Sequence, residues 1–550
     1  MVKFIVVTGG VISGIGKGIT ASSIGVLLQA RDLVVTAIKI DPYINVDAGT
    51  MSPYEHGECF VLDDGGEVDL DLGNYERFLT DLKLTSHNSI TTGKVYKSVI
   101  EKERKGEYLG KTVQIIPHIT DEIQRMIMHA AEIPVNNKTP DVCIIEIGGT
   151  VGDIETMPFI EAIRQMSYKK KNTFCFVHVS MIVMAGCEEK TKPTQESVSK
   201  LRSLGIIPNF LIIRTPNYLN PQIINKLETF CHIPADHMIS NINVDNIYFV
   251  PNVFEKQELG QKINERLCLC GKDKHPFNHF ESIVNYYNNL KINNPVKKEI
   301  VIAGKYVGCQ DTYLSLLRAI EHATFKTFPL GNVEISIKWL DTEKYNGEEI
   351  NADAIIIPGG FGSRGIEGKI AVANYARSMK IPMLGICLGM QIMVVEYAQN
   401  VCRLDATSSE WLNESEDKVI DILPDQTGTL GGTMRLGLYP TYLKEGSLAK
   451  KIYNNETVVY ERHRHRYEVN NKYVSILEEA GLYFTGTNEN KTLMEMVELD
   501  QDIHPFYVGC QFHPEYTNKP QTLFCALISA MASIGEPISL PRTSADGLNR

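Results

Sequence analysis

Short apolar runs separated by longer amphipathic stretches dominate the first half of the chain. Phe4–Val7, Val34–Lys39, Val142–Ile147, Thr173–Val183 and Asn209–Arg214 are compact and rich in β-branched residues, as strands buried on both faces are. Between several of them, stretches such as Thr20–Leu28 repeat their apolar residues at helical spacing. That alternation predicts a mostly parallel sheet covered on both faces, with ligands gathered at the C-terminal ends of its strands. The pattern fades over Lys272–Pro276 and passes through a helical stretch at Phe277–Leu290. A second αβ series then begins at Glu299–Tyr306, Val333–Leu340 and Ala354–Ile357. The expected fold class is α/β with two doubly wound domains, spanning 1–275 and 299–540, an interdomain segment at 276–298 and a polar tail at 541–550.

The stretch Thr8–Thr20 joins the first strand to the first helix with five glycines and Lys17. Such glycines let backbone N–H groups converge on an anion at a helix N-terminus, with the lysine as a point charge. The common phosphate-loop pattern G-x-x-x-x-G-K-[ST] would put glycine at position 11 and a hydroxyl at position 18, where this chain has Val11 and Gly18. By itself the loop reads equally as a phosphate cradle or as a plain βα turn. If it cradles a triphosphate, Mg²⁺ must take carboxylates from elsewhere. Asp69 and Asp71 alternate with Val68, Leu70 and Leu72, and strand spacing turns both carboxylates to one side, although a solvated face accounts for most acids of this stretch. Glu146 is the stronger candidate, because an acid inside the apolar Val142–Ile147 run is costly unless paired or metal-bound.

In the second half, Gly385-Ile386-Cys387-Leu388-Gly389 places a nucleophile between two glycines, the pattern of a tight strand-to-helix elbow. The following helix N-terminus favours thiolate over thiol. A base is available at His513, and in extended chain Glu515 shares its face and can orient it. Glu461–Asn470 has the look of a small basic patch, and Gly431–Gly437 reads as a flexible loop on composition.

A net charge of −11 excludes a general nucleic-acid coat. The twelve cysteines show no metal-type pairing apart from the close set Cys268 and Cys270, and most read as small buried hydrophobes in a reducing compartment. Met1-Val2-Lys3 leads straight into the first strand, and the longest apolar run, Thr173–Gly186, is too short to span a bilayer. A soluble cytoplasmic protein with no membrane and no nucleic-acid partner is expected.

The Gly9–Gly18 loop, Lys39–Asn45, His56-Gly57-Glu58, Glu146–Glu155 and Lys190–Gln195 together resemble the synthetase domain of the CTP synthase family. The Pro358-Gly359-Gly360, Gly-x-Cys-x-Gly and His-x-Glu motifs resemble a glutamine amidotransferase domain of the cysteine-triad type. The resemblance extends from Val2 to about Ser533. It implies that Ser13, Gly14, Ile15, Gly16, Lys17 and Gly18, with Asp71, bind ATP, and that Asp71 and Glu146 hold Mg²⁺. Ser13, Lys39, His56, Asp153, Ile154, Glu155, Lys190, Thr191, Lys192, Pro193, Thr194, Gln195 and Lys226 would line overlapping UTP and CTP sites. Cys387 would attack the glutamine amide, His513 would move protons and Glu515 would fix its tautomer, with the oxyanion held by N–H groups near Gly360 and Leu388. Gln391, Glu410 and Arg466 would grip the amino-acid end of glutamine, and Phe361, Thr433 and Arg435 would lie near a site for GTP as activator, with Gly431–Gly437 as a lid.

The implied reaction is phosphorylation of UTP at O4 by ATP, followed by attack of glutamine-derived ammonia at C4 to give CTP. The resemblance also implies feedback by CTP, a homotetramer and, in some members, filaments. Because Cys387 and Lys17 fall in separate domains, an internal ammonia passage is expected. Two other readings stay open at this point. Corrinoid amide synthases share the two-part plan but would not need the Lys39–Asn45 and Lys190–Gln195 stretches. A polymerising pseudoenzyme would lack turnover.

Overall fold

A computed structural model of the 550-residue chain describes residues 2–79, 81–186, 188–272, 278–411, 415–423, 432–517 and 522–532. The expected tail at 541–550 and Gly431 of the expected lid lie outside them. The chain divides into two compact units, Met1–Ala48 with Val68–Val284, and Gly49–Glu67 with Asn285–Arg550.

The first unit is built on seven strands: β1 (Lys3–Gly9), β2 (Val35–Asp41), β3 (Ser89–Thr91), β4 (Val142–Ile147), β5 (Phe174–Met181), β6 (Phe210–Thr215) and β7 (Met238–Ile242). Their order is β7-β6-β5-β1-β4-β2-β3, and every pairing is parallel. Such pairing requires crossovers, and helices α1 (Lys17–Gln29), α2 (Leu70–Phe78), α3 (Lys192–Ser203) and α4 (Pro221–Cys231) lie among them. Gly25 of α1 has no room for a side chain, since a Cβ there would press on Leu79 and Ile144, so helix and sheet approach closely. The carboxyl ends of β1, β2 and β4 adjoin one another where the strand order reverses, the usual ligand crevice of an open α/β sheet.

One expectation changes here. Asp69 ends a strand (Glu67–Asp69) and α2 starts at the next residue, so Asp69 and Asp71 do not share one extended segment. Asp69 instead caps the helix, its carboxylate accepting the Asp71 N–H at 2.9 Å.

The second unit carries nine strands: β8 (Val296–Gly304), β9 (Val333–Asp341), β10 (Ala354–Ile357), β11 (Met383–Ile386), β12 (Arg435–Leu443), β13 (Val458–His465), β14 (Leu482–Thr487), β15 (Met494–Leu499) and β16 (Tyr507–Cys510). Their order is β9-β8-β10-β11-β16-β15-β14-β12-β13; the first five pair in parallel and the rest are joined antiparallel. Helices α5 (Leu314–Thr327), α6 (Ile366–Met379) and α7 (Leu388–Asn400) flank the parallel part. The sheet has a core on each side because strand side chains alternate: Ile300 and Ile302 join one cluster, Val301 and Ala303 the other. The basic stretch Glu461–Asn470 is mostly strand, with Tyr467–Val469 a second short one, and Arg435–Gly437 belong to β12 rather than to a loop.

Candidate functional site

In the first unit the glycine loop leaves β1 and enters α1 through Gly16, whose φ of 89° is easy only for glycine. Val11 has φ 81°, a costly conformation for a β-branched residue, at the position where the common loop carries glycine. Gly10 admits no Cβ because Ser197 Oγ occupies that space. Ser197 bonds His178 Nε2 at 2.6 Å, and His178 Nδ1 bonds Thr8 Oγ1 at 2.8 Å. Burial, helped by Lys17, pushes His178 down to about 3, so this buried chain of three polar side chains stays neutral beneath the loop. Lys17 Nζ donates to Gly149 O at 2.9 Å.

Gly18 resolves the departure from the common loop. A Cβ at that position would collide with the Asp71 carboxylate, so the acid fills the place where a hydroxyl usually stands. Asp71 and Glu146 both accept from Lys39 Nζ, Glu146 Oε1 at 3.3 Å, with Asp69 at 3.7 Å and Asp41 at 3.8 Å. Tyr75 donates to the other Glu146 oxygen. Burial would lower Lys39, but Asp71 and then Glu146 outweigh it and hold it well above its ordinary value. Glu146 is pushed up by burial and then by Asp71, against the pull of Lys39 and Lys17. Buried Glu146 and half-buried Asp71 converge on one cationic point, and two hard-oxygen carboxylates are a donor set that suits Mg²⁺.

The remaining nucleotide-site candidates are less gathered. Asp153 Oδ2 accepts the Thr150 N–H at 2.9 Å, while Ile154 and Glu155 are exposed. Lys190 pairs with Glu188, and Lys226 from α4 is close enough to lower the Glu188 carboxyl further. Lys192 and Pro193 open α3, with Lys192 paired to Glu196; Thr191 accepts from Gln195, and Thr194 donates to Met181 O. Ser13 and Gly14 are exposed. His56 is exposed too, on the short helix Pro53–His56 of the second unit.

The second unit builds a nucleophile elbow. Cys387 sits between β11 and α7 with φ 52° and ψ −106°, and its N–H is held by Cys510 O at 2.7 Å. Both flanking glycines are required by space: a Cβ on Gly389 would strike the Ile357 carbonyl, and one on Gly385 the Met393 sulfur and the Gly389 backbone. Gln511 Nε2 lies 3.6 Å from Cys387 Sγ. His513 and Cys387 sit side by side against Gly359, where a Cβ would meet His513 Cε1 at 2.7 Å and Cys387 Cβ at 3.6 Å, and His513 Nδ1 is 2.8 Å from Glu515 Oε1. Burial alone would lower His513, but Glu515 and then Cys387 raise it from 6.5 to about 10. The Glu515 contact is made across a 3₁₀ turn, Pro514–Tyr516, not along the extended chain expected from spacing.

A cavity of about 230 Å³ opens over this triad, with Gly359, Gly360, Arg464 and residues of the 49–67 segment in its wall. Glu410 Oε1 accepts the Gly362 N–H at 2.6 Å, and Gln391 Nε2 donates to Tyr467 O at 3.0 Å. Arg466 donates to Thr433 Oγ1 at 2.9 Å. Phe361 lies under the Arg464 guanidinium, 5.0 Å from ring centre. Arg435 is committed inward, to Glu495 at 2.8 Å and Glu468 at 3.4 Å. Tyr75, Gln511 and the fully buried Lys369 carry no expectation from the sequence; for Lys369 the signal was a lysine on the apolar stripe Ile366, Ile370, Ala373.

Two families match this chain, one described as CTP synthase N-terminus over residues 3–269 and one as glutamine amidotransferase class-I over 309–527. A CTP synthase of Natronomonas pharaonis is 49% identical over 528 residues, taking in 94% of this chain and 92% of that one. The chain belongs to the CTP synthase family. A CTP synthase of Pyrococcus furiosus is likewise 49% identical, covering 94% of this chain and 95% of its own. One from Candida glabrata is 45% identical over 97% of this chain and 96% of its own. Family membership accounts for the presence of both chemistries in one chain, and the match to the N-terminal family includes the 49–67 segment, which folds with the second unit.

Proposed function

We propose that this chain makes CTP from UTP, using ATP and ammonia released from glutamine, in pyrimidine nucleotide biosynthesis. The observation that carries the reading is that a chain 49% identical to a CTP synthase keeps Cys387 at a strained elbow, with His513 beside it against Gly359 and Glu515 paired to His513. Cys387 Sγ attacks the amide carbon of glutamine, His513 delivers a proton to the departing ammonia, and water then cleaves the thioester to glutamate. The N–H groups near Gly360 and Leu388 receive the oxyanion, and Gln391, Glu410 and Arg466 hold the amino-acid end. In the synthetase half, the Ser13–Gly18 loop and Lys17 hold the ATP phosphates, and UTP, or CTP as inhibitor, lies against Lys39, Asp153–Glu155, Lys190–Gln195 and Lys226. Asp71 and Glu146 would hold Mg²⁺, whose chemistry when bound is to neutralise charge on the transferring phosphoryl group. Phosphorylation of O4 creates a leaving group that ammonia displaces at C4.

The functional division runs as 1–275 for synthesis, 276–298 as connection, 299–540 for glutamine hydrolysis and 541–550 as tail. GTP activates near Phe361, Thr433 and Arg435, and the working form is a cytoplasmic homotetramer, able to form filaments. All described cysteines are free, which supports a reducing compartment, and among the described residues no helix is long and apolar enough to cross a membrane.

The test is absorbance-monitored conversion of UTP with ATP, Mg²⁺ and either glutamine or ammonium. Wild type should use both nitrogen sources, Cys387→Ala ammonium alone and Lys17→Ala neither. Glutamine hydrolysis with UTP unchanged under every condition would remove the uracil nucleotide from the reading and leave only the amidotransferase half.

A further inference from the structure

Lys369 lies on the first turn of α6, immediately after the Pro358–Gly365 turn, and its side chain is completely buried. Its Nζ has no hydrogen-bond partner among the described residues. The ammonium points back under the turn that precedes it: a Cβ built on Gly360 would lie 3.7 Å from Nζ and 3.4 Å from Leu388 Cδ2. The same turn is gripped on either side of that point. Lys305 Nζ donates to Phe361 O, and Glu410 Oε1 accepts from Gly362 N–H at 2.6 Å. Gly359 is packed against the catalytic pair, since a Cβ there would meet His513 Cε1 at 2.7 Å and Cys387 Cβ at 3.6 Å. An unpaired buried ammonium is expensive, and nothing in the hydrolysis described above uses it.

Resting on the glutaminase reading above, we propose that Lys369 is a positioning residue for glutamine hydrolysis: its amine donates to the backbone of the Pro358–Phe361 turn as the tetrahedral intermediate forms, keeping the Gly360 N–H aimed at the oxyanion. Burial first, and Lys305 and Arg364 besides, lower Lys369 to about 7, against the opposing pull of Glu410 and Cys387. Its proton is thus loosely held in this state, and an added carbonyl acceptor would tighten it. The turn's N–H orientation matters only when negative charge appears on the substrate oxygen, so the effect belongs to the transition state and not to glutamine binding.

The experiment compares wild type with Lys369→Met, which keeps length and apolar volume, and Lys369→Gln, which keeps a donor without the charge. Lys369→Met should lower kcat for glutamine hydrolysis about 10- to 100-fold, with KM changed less than about threefold. It should also weaken the γ-aldehyde analogue of glutamine, whose adduct with Cys387 is tetrahedral, by the same factor. Ammonium-dependent CTP formation should stay at the wild-type rate, and Lys369→Gln should recover part of the hydrolysis. Wild-type kcat and aldehyde affinity in Lys369→Met would overturn the proposal while leaving the glutaminase reading intact. So would loss of both nitrogen routes in both variants, which would make Lys369 a folding residue. A wild type that hydrolyses no glutamine would remove the glutaminase reading, and the proposal with it.

Discussion

His513 is under two opposed influences, burial that disfavours its charge and the Glu515 and Cys387 side chains that favour it, and the second wins. Because its folded value is raised from 6.5 to about 10, the stability it contributes is complete below about pH 6.5 and is lost as pH rises through about 10. In Glu515→Gln the largest raising influence is gone, so the ring should titrate at lower pH by NMR. The stability difference from wild type should be greatest on the acid side of neutrality and shrink towards pH 10. A ring that titrates unchanged in the variant would mean that Glu515 orients His513 without stabilising its charge. The pair itself was legible from two letters at the right spacing, but the geometry was not: the 3₁₀ turn brings the carboxylate to Nδ1 through local backbone that spacing alone does not distinguish from a strand. Lys369 was hidden for a different reason. A lysine among apolar positions can snorkel out to water, and only the packed turn over its end shows that this one does not.

Two tight connections, the β1–α1 loop and the β11–α7 elbow, hold many of the candidate site residues, and both are glycine-bounded because neighbouring atoms leave no room for a Cβ. In Gly389→Ala the new methyl would press on the Ile357 carbonyl, which is backbone and cannot turn aside. The expected cost is about 1–3 kcal/mol, with glutamine turnover falling by at least about tenfold as Cys387 shifts. Thermal unfolding and a glutaminase assay check it, and an unaltered melting temperature would show that α7 can slide. At this scale the apolar runs were good guides, since β1, β2, β4, β5 and β6 fall within a few residues of the patterns that predicted them. Short elements were not. The acidic stretch at 67–73 looked like one strand because alternation over five residues cannot reveal that Asp69 stops the strand and caps a helix.

At the level of the whole molecule, the 49–67 segment departs most from its place in the chain. It is flanked on both sides by first-unit sequence and folds with the second. Glu58 anchors it: both carboxylate oxygens accept the Ser315 N–H, at 3.0 and 2.9 Å, and the Ser315 hydroxyl donates as well. Asp63 pairs with Arg462 at 2.7 Å and Glu67 with Arg464 at 2.9 Å, and Tyr516 donates to Cys59 O at 3.1 Å. Since this strap walls the cavity over Cys387, Glu58→Ala should destabilise the second unit by about 1.5–3 kcal/mol and raise the KM for glutamine several-fold. Denaturant unfolding and steady-state kinetics check it. An unchanged KM with lowered stability would confine the strap to a structural role.

What the sequence determined by itself were those features that depend on near neighbours in the chain: the αβ alternation, the glycine-rich β1–α1 turn, the nucleophile elbow and the buried Glu146. Each follows from period, from a glycine beside a charged or nucleophilic residue, or from a charge where charge does not belong. Tertiary structure alone decided which carboxylates meet Lys39, why position 18 is glycine, which unit takes the strap and that Lys369 ends beneath Gly360. Except for Lys369 and Gly360, which a tight turn folds together, those are contacts between residues tens to hundreds of positions apart, and they arise only when strand order and packing bring the segments together. A local pattern specifies which groups a segment presents; the fold specifies what they face.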